Sequence, residues 1–342
     1  MNFIGADLHK KSITFCVLSV ERGGRPQLVT TRRLPCDATG TIEDFLVAHG
    51  PAELVVEATI GFDWFASLAE GVCRRVVLAH AGKMRIIAES TRKSDKVDAR
   101  VLAEFLARDM IPEAWRPTPR IRQHRSLIRY RQRLVRRQTS VKNTIRGILT
   151  RYNADRSDLF TRRGWAAALS TDLHAAEKWL LEQHKRDLER IRDQLKAVDA
   201  KLAEFASQAA VAEREARAVL ATMPGVGPVT IDVILAELGD WRRFKNCNAV
   251  VAFAGLAPGV RSSDETRHSL RMTKAGSPLL RFAMVQLAHR LKRSTARWQR
   301  SFSQLENRIG SKKATCAIAR RLLITLYAML RDGRAYQMAA AA

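Results

Sequence analysis

The sequence predicts an α/β domain over residues 1–115 and an α-helical remainder. Three observations predict it. Short apolar runs that end on acids alternate with helical periods through the first hundred residues. A basic stretch of helical periodicity then follows Pro117 and Pro119. Near Met223, a turn rich in Gly and Pro separates two apolar helical segments.

Phe3-Ile4-Gly5-Ala6-Asp7 is an apolar run closed by an acid, and Ile13, Phe15 and Val17 alternate with smaller residues, so residues 3–20 hold two strands. Gly23-Gly24 supplies a turn and Gln27 to Leu34 a third strand. Thr41 to His49 has the face Ile42, Phe45, Leu46 of a helix capped by Thr41. Leu54-Val55-Val56 is a buried strand ending on Glu57. A helix over Trp64 to Val72, a strand at Val76-Val77-Leu78 and a helix capped by Ser94 and bearing Asp95 and Asp98 complete the domain. Strand–strand–strand–helix–strand–helix–strand–helix is the order of an RNase H-like, or RuvC-like, domain.

Length and charge bound the function. A chain of 342 residues has material for two or three domains with buried cores. Its formal net charge of +25 and pI of about 10.8 call for a polyanionic partner, because such a charge repels itself unless neutralised. Nucleic acid fits better than membrane, since no apolar run approaches the ~20 residues that span a bilayer. The first residues lack the basic and apolar regions of a signal peptide. Five scattered cysteines without metal-ligand spacing read as reduced thiols, which places the chain in the cytoplasm.

The acids carry the chemistry. Asp7 and Glu57 each close an apolar strand, where α/β sheets present functional groups and where an unpartnered buried carboxylate is costly. Asp95 and Asp98 lie three residues apart at a helix start and share one face. A solvated helix start explains that pair alone. All four together, in this element order, predict a site for divalent cations, and hard oxygen donors favour magnesium or manganese.

Residues 116–215 form a basic helical and coiled-coil region. Arg120, Arg122, Arg125, Arg129, Arg131, Arg133, Arg136 and Arg137 precede the first acid, Asp155, and an apolar seam runs through Leu127, Leu134, Val141 and Ile148. A run so one-sided predicts phosphate contact. Leu188, Ile191, Leu195, Val198, Leu202 and Phe205 then step by three and four, a seam that pairs within the chain or between subunits. In residues 216–332, Met223-Pro224-Gly225-Val226-Gly227-Pro228 between two helices predicts a helix-hairpin-helix, with Gly225 and Gly227 offering backbone N–H groups to phosphate. A loop serine near Arg261, Arg267, Arg271 and Lys274 has the surroundings of a nucleophile toward a phosphodiester, although by composition alone the signal is weak. Ser277-Pro278 starts a helix with Leu280, Met284, Leu287 and Leu291 on one face, and residues 333–342 are a tail.

Six motifs occur in order: Gly5-Ala6-Asp7-Leu8-His9-Lys10, Val55-Val56-Glu57-Ala58-Thr59, Lys93 to Arg100, Pro224-Gly225-Val226-Gly227, Phe253-Ala254-Gly255-Leu256-Ala257-Pro258 and Arg271-Met272-Thr273-Lys274-Ala275-Gly276. With them the chain resembles, from about residue 3 to residue 330, the transposases of the insertion-sequence group numbered one hundred and ten. The resemblance implies a RuvC-like DEDD domain whose acids are Asp7, Glu57, Asp95 and Asp98, and a C-terminal serine domain. It also implies DNA as substrate, a structured guide RNA and a homo-oligomer, dimer or tetramer. Counting back from the motif ending Lys-Ala-Gly selects Ser262 as nucleophile, and counting forward from Pro258 selects Ser263. The chain departs from the resemblance in reading Ser262-Ser263-Asp264-Glu265 where a Gly commonly follows the serine. The activity expected is DNA excision and insertion. A RuvC-like nuclease that uses the four acids alone and a non-catalytic nucleic-acid-binding protein are the competing readings.

Overall fold

The computed structural model describes residues 1–21, 24–59, 61–87, 95–263 and 266–337, with side chains described for these except 85–87, 95–97, 260–263 and 266–271. Gly23 of the predicted turn, the predicted cap Ser94, and Asp264 and Glu265 lie outside the described residues. Two compact units, Met1–Arg116 and Pro117–Ala342, make up the chain.

In the first unit, strands β1 (Asn2–Leu8), β2 (Ser12–Ser19) and β3 (Gln27–Pro35) precede helix α1 (Thr39–Ala48). Strand β4 (Ala52–Glu57), helix α2 (Phe62–Glu70), strand β5 (Arg75–Ala79) and helices α3 (Ala81–Ile87) and α4 (Asp95–Ala107) follow. The sheet order is β3-β2-β1-β4-β5, with β1 antiparallel to β2 and parallel to β4. Alternation sorts the side chains. Ile4, Ala6, Ile13, Phe15, Leu54 and Val56 pack with Ile42, Phe45 and Phe65 of α1 and α2. Cys16, Leu18, Val55 and Val77 meet Ala99, Leu102, Ala103 and Leu106 of α4 on the other face. Because a one-residue slip would exchange those faces, burying both fixes the register. One start differs from expectation. Helix α1 begins two residues before Thr41 and has no side-chain cap at Ala38, and its exposed first turn leaves those N–H groups to water.

Among its described residues the second unit is helical apart from one hairpin. It contains α5 (Pro119–Thr150), α6 (Arg162–Leu169), α7 (Ala175–Ser207), α8 (Val211–Ala221), α9 (Pro228–Leu238) and α10 (Cys247–Phe253). Strands β6 (Pro258–Ser263) and β7 (Thr266–Met272) come next, then α11 (Pro278–Ser294), α12 (Ala296–Ile309) and α13 (Ser311–Asp332). Thr118 caps α5, with Pro119 at its first position. Leu134 of α5 packs against Ile191 and Val198 of α7, so the heptad-like seam finds its partner inside the chain. The main core gathers Leu220, Ile234, Leu280, Met284, Ile318, Leu322 and Leu326 from α8, α9, α11 and α13.

Candidate active site and nucleic-acid interface

Ala6 pairs with Val56, and Asp7 and Glu57 are the next residues of those parallel strands. Neighbouring strands lie about 4.8 Å apart, and equal register directs both carboxylates to one face. That face carries α4. Gly5, two residues before Asp7, lies directly beneath the helix: a Cβ there would overlap Ala99 O and lie 2.7 Å from Ala103 N, so only glycine allows this approach. Phe3, two residues earlier, packs on the cluster containing Leu102 and Leu106. Helix α4 therefore runs antiparallel to β1 and begins beside its carboxyl end. It begins at Asp95, with an exposed Asp98 one turn on.

Asp7 is 9 % exposed, and His9 Nε2 lies 3.0 Å from its Oδ2. Sequence reasoning passed over His9, although its spacing of two from a strand-end acid was the available signal. Glu57 is half-buried. Among the described residues no three His, Cys, Asp or Glu side chains are gathered closely enough to hold a metal ion, and the Asp95 side chain is outside that set. The donors at this edge are carboxylate oxygens, one of them buried, which is the donor chemistry of a hard divalent cation.

The hairpin β6–β7 places both candidate serines at its far end, with Ser262 in register with Arg267 and Ser263 with Thr266. Its base is fixed firmly. Ser277 N donates to Phe253 O at 2.8 Å and Thr273 N to Ala257 O at 3.2 Å, while Arg281 Nη1 donates to Ala254 O and Lys274 O. Gly276 sits at φ +143° and a Cβ on it would overlap Phe253 O, which explains the glycine closing the Lys274-Ala275-Gly276 motif. Beneath them, buried Glu237 accepts from the Ser277 hydroxyl at 2.9 Å and from Arg129 Nε and Nη2 at 2.8 and 3.0 Å. Burial pushes the Glu237 carboxyl up, but the Arg129 hydrogen bond and charge, with Ser277 and Arg125, outweigh it and leave the group below its ordinary value.

The basic stretch divides. Arg120 donates to Glu213 Oε2 at 2.6 Å and to Phe205 O at 2.9 Å; Arg122 donates to Pro117 O at 2.8 Å; Arg125 donates to the carbonyls of Ala236 and Glu237. Arg131 pairs with Asp199. Several of these cations are therefore compensated within the chain. The run has no acid of its own, but α7, α8 and α9 bring Asp199, Glu213 and Glu237 to it from far along the chain. A network continues from half-buried Glu213 and Arg217 to buried Asp232 and His124. Arg133, Arg136 and Arg137 remain exposed, Arg133 lying 5.7 Å from the Tyr130 ring. Gly227 is the N-cap position of α9, after a turn in which Gly225 takes φ +79°. Lys274 is exposed, and the side chains of Arg267 and Arg271 are outside those described.

A family model named for the DEDD transposase of IS110, described as Transposase, matches residues 4–154, and one described as Transposase IS116/IS110/IS902 family matches residues 217–304. A "Probable family 20 transposase" of Pseudomonas aeruginosa is 27 % identical over 348 residues, covering 98 % of each chain. The "Transposase for insertion sequence element IS1111A" of Coxiella burnetii is 24 % identical over 353 residues, 99 % of this chain and 92 % of that one. A "Pilin gene-inverting protein" of Moraxella bovis is 31 % identical over 123 residues, 34 % of this chain and 38 % of that one. These matches make the RNase H-like α/β unit and the helical unit after it those of a DEDD transposase, an enzyme of DNA strand cleavage and transfer. The chain belongs to the IS110/IS116/IS902 family of transposases.

Proposed function

We propose that the protein is a recombinase that excises and inserts a mobile element by DNA strand exchange. The observation that carries this reading is the placement of Asp7 and Glu57 side by side on the sheet face where α4 begins with Asp95 and Asp98. In this reading the four acids hold magnesium or manganese, which when bound polarises a phosphoryl oxygen. His9 orients the Asp7 carboxylate. Ser262, with Ser263 as the alternative, supplies the nucleophile: its oxygen bonds to phosphorus, one P–O bond to a deoxyribose breaks, the serine proton passes to a base and the departing oxygen gains a proton. A hydroxyl of another strand then displaces the serine, so the number of phosphodiester bonds is conserved. Arg267, Arg271 and Lys274 stabilise the charge that develops. Arg133, Arg136 and Arg137, with the N–H groups of Gly225 and Gly227, hold backbone phosphates. The domain limits of the sequence reading, 1–115, 116–215 and 216–332, a structured guide RNA and a homo-oligomer of two or four chains complete the proposal.

Denaturing electrophoresis of the protein with labelled element-end DNA tests it. Wild type and Ser263→Ala are expected to form a covalent protein–DNA adduct and Ser262→Ala none, with Asp7→Asn abolishing strand transfer. Strand cleavage without any adduct would instead favour a nuclease that uses the acids alone. Sequencing RNA that co-purifies with the protein tests the guide.

A further inference from the structure

We propose that the exposed side of α12 is a second duplex-DNA-binding surface, distinct from α5 and centred on Arg297, Arg300 and Arg308. It rests on the protein acting on DNA but on neither the acids nor the serine. Within residues 290–321, ten residues are Lys or Arg and one, Glu306, is acidic. Among the described residues none of the ten forms an ion pair with a carboxylate. They meet uncharged groups instead: Lys292 lies 4.0 Å from the Phe302 ring, and Arg320 donates to Asn248 at 3.5 Å. So concentrated a charge repels itself unless an external polyanion neutralises it.

The surface has direction. Arg297, Arg300 and Arg308 are exposed and fall on one side of α12, while Trp298 and Phe302 bury the opposite side. Fourteen residues of helix span about 21 Å, the rise of about six base-pair steps. The turn holding Gly225 lies at the edge of the same surface. A Cβ on Gly225 would lie 3.5 Å from Arg290 Cδ, Tyr336 N donates to Thr222 Oγ1 at 2.8 Å, and the Arg297 guanidinium is 6.0 Å from the Tyr336 ring. Arginines of α11 and α12 thus flank the glycine turn. Both aromatic rings of α12 are buried, at 4 % and 8 % exposure, so this helix offers phosphate contacts and no ring on which an unpaired base stacks. That favours a duplex over a single strand.

The test measures binding of full-length protein to a fluorescent DNA duplex across a salt series, with no cleavage required. Arg297→Gln/Arg300→Gln/Arg308→Gln is expected to lower affinity about tenfold or more and to reduce the slope of log K against log salt by about 2.7, at about 0.9 per lost contact. The Lys triple at the same positions keeps the slope. A control of equal charge change, Arg156→Gln/Lys201→Gln/Arg331→Gln, removes cations that Asp158, Glu204 and Asp332 already neutralise, and is expected to leave the slope within about one contact of wild type. Equal losses in the two Gln triples, no loss in the first with its thermal melt unchanged, or a stronger effect on duplex RNA than on duplex DNA would overturn the proposal. Wild-type protein that binds the duplex yet forms no covalent adduct and transfers no strand would instead count against the reading of the acids and serine.

Discussion

Arg129 of α5 and Arg300 of α12 both lie on long helices and both reach solvent, yet their guanidinium groups meet different surroundings. Glu237 grips Arg129 through two hydrogen bonds and is itself almost fully buried, whereas Arg300 has no carboxylate partner among the described residues. The same contrast holds for their neighbours. Arg120, Arg125 and Arg131 join α5 to other helices of the second unit, and Arg297 and Arg308 point outward. A basic run therefore acquires its meaning from acids elsewhere in the chain. Where they arrive, the cations are fold; where they do not, the cations are surface.

Exchanging the same residue type in both regions should separate the two roles most widely. Arg129→Met takes two hydrogen bonds from the buried Glu237 carboxylate, and because Arg129 itself is half exposed and water can partly replace it, the loss should be about 1–3 kcal/mol. Arg300→Met removes an exposed charge and should change stability by no more than about 0.5 kcal/mol. Denaturant unfolding of both variants checks this. Similar losses would erase the distinction. Adding Glu237→Gln to Arg129→Met should restore part of the loss, since the uncompensated charge is then gone.

A smaller and reversible form of the same contrast is acid titration. The folded Glu237 carboxyl titrates below its unfolded value of about 4.3, so its stabilisation is fully present above that pH and is lost as pH falls through the folded value. Glu213 follows the same sign: burial pushes it up, and hydrogen bonds from Arg120 and Arg217 more than reverse that. The melting temperature of wild type should fall as pH drops below about 4.3, and the Arg129→Met/Glu237→Gln variant should lose less over that range. Parallel pH curves would show that the acids paired with α5 are not what titrates.

How much of this was legible in the sequence depended on distance along the chain. Apolar runs at Ile4, Val17 and Val55 gave their strands directly, because alternation is a local signal. The seam through Ile191 and Val198 was legible as a helix face, while its partner, α5, was not, because periodicity names a face and not its mate. For the acids, the sequence offered strand ends; the register joining Asp7 to Glu57 and the close approach of α4 over Gly5 came from the sheet. Internal partners such as Glu213 and Glu237 were invisible for a plain reason. They lie 93 and 108 residues from the arginines they hold.

The pair Arg131–Asp199 provides the finest test, because it lies between the two classes. Its distance is 2.5 Å, but the Asp199 side chain is 44 % exposed, so water screens it, and breaking it should cost about 0.2–1 kcal/mol. Asp199→Asn keeps the shape and removes the charge, releasing an arginine two positions from exposed Arg133. If the face of α5 bearing Arg133 follows a phosphate backbone, the released cation adds at most one contact. Duplex affinity should then rise a few-fold, with the salt slope steeper by no more than about 0.9. An unchanged slope would mean that α5 does not track the duplex there. Phosphate contact on this unit would then fall to the cations that no acid reaches, those of α11 and α12.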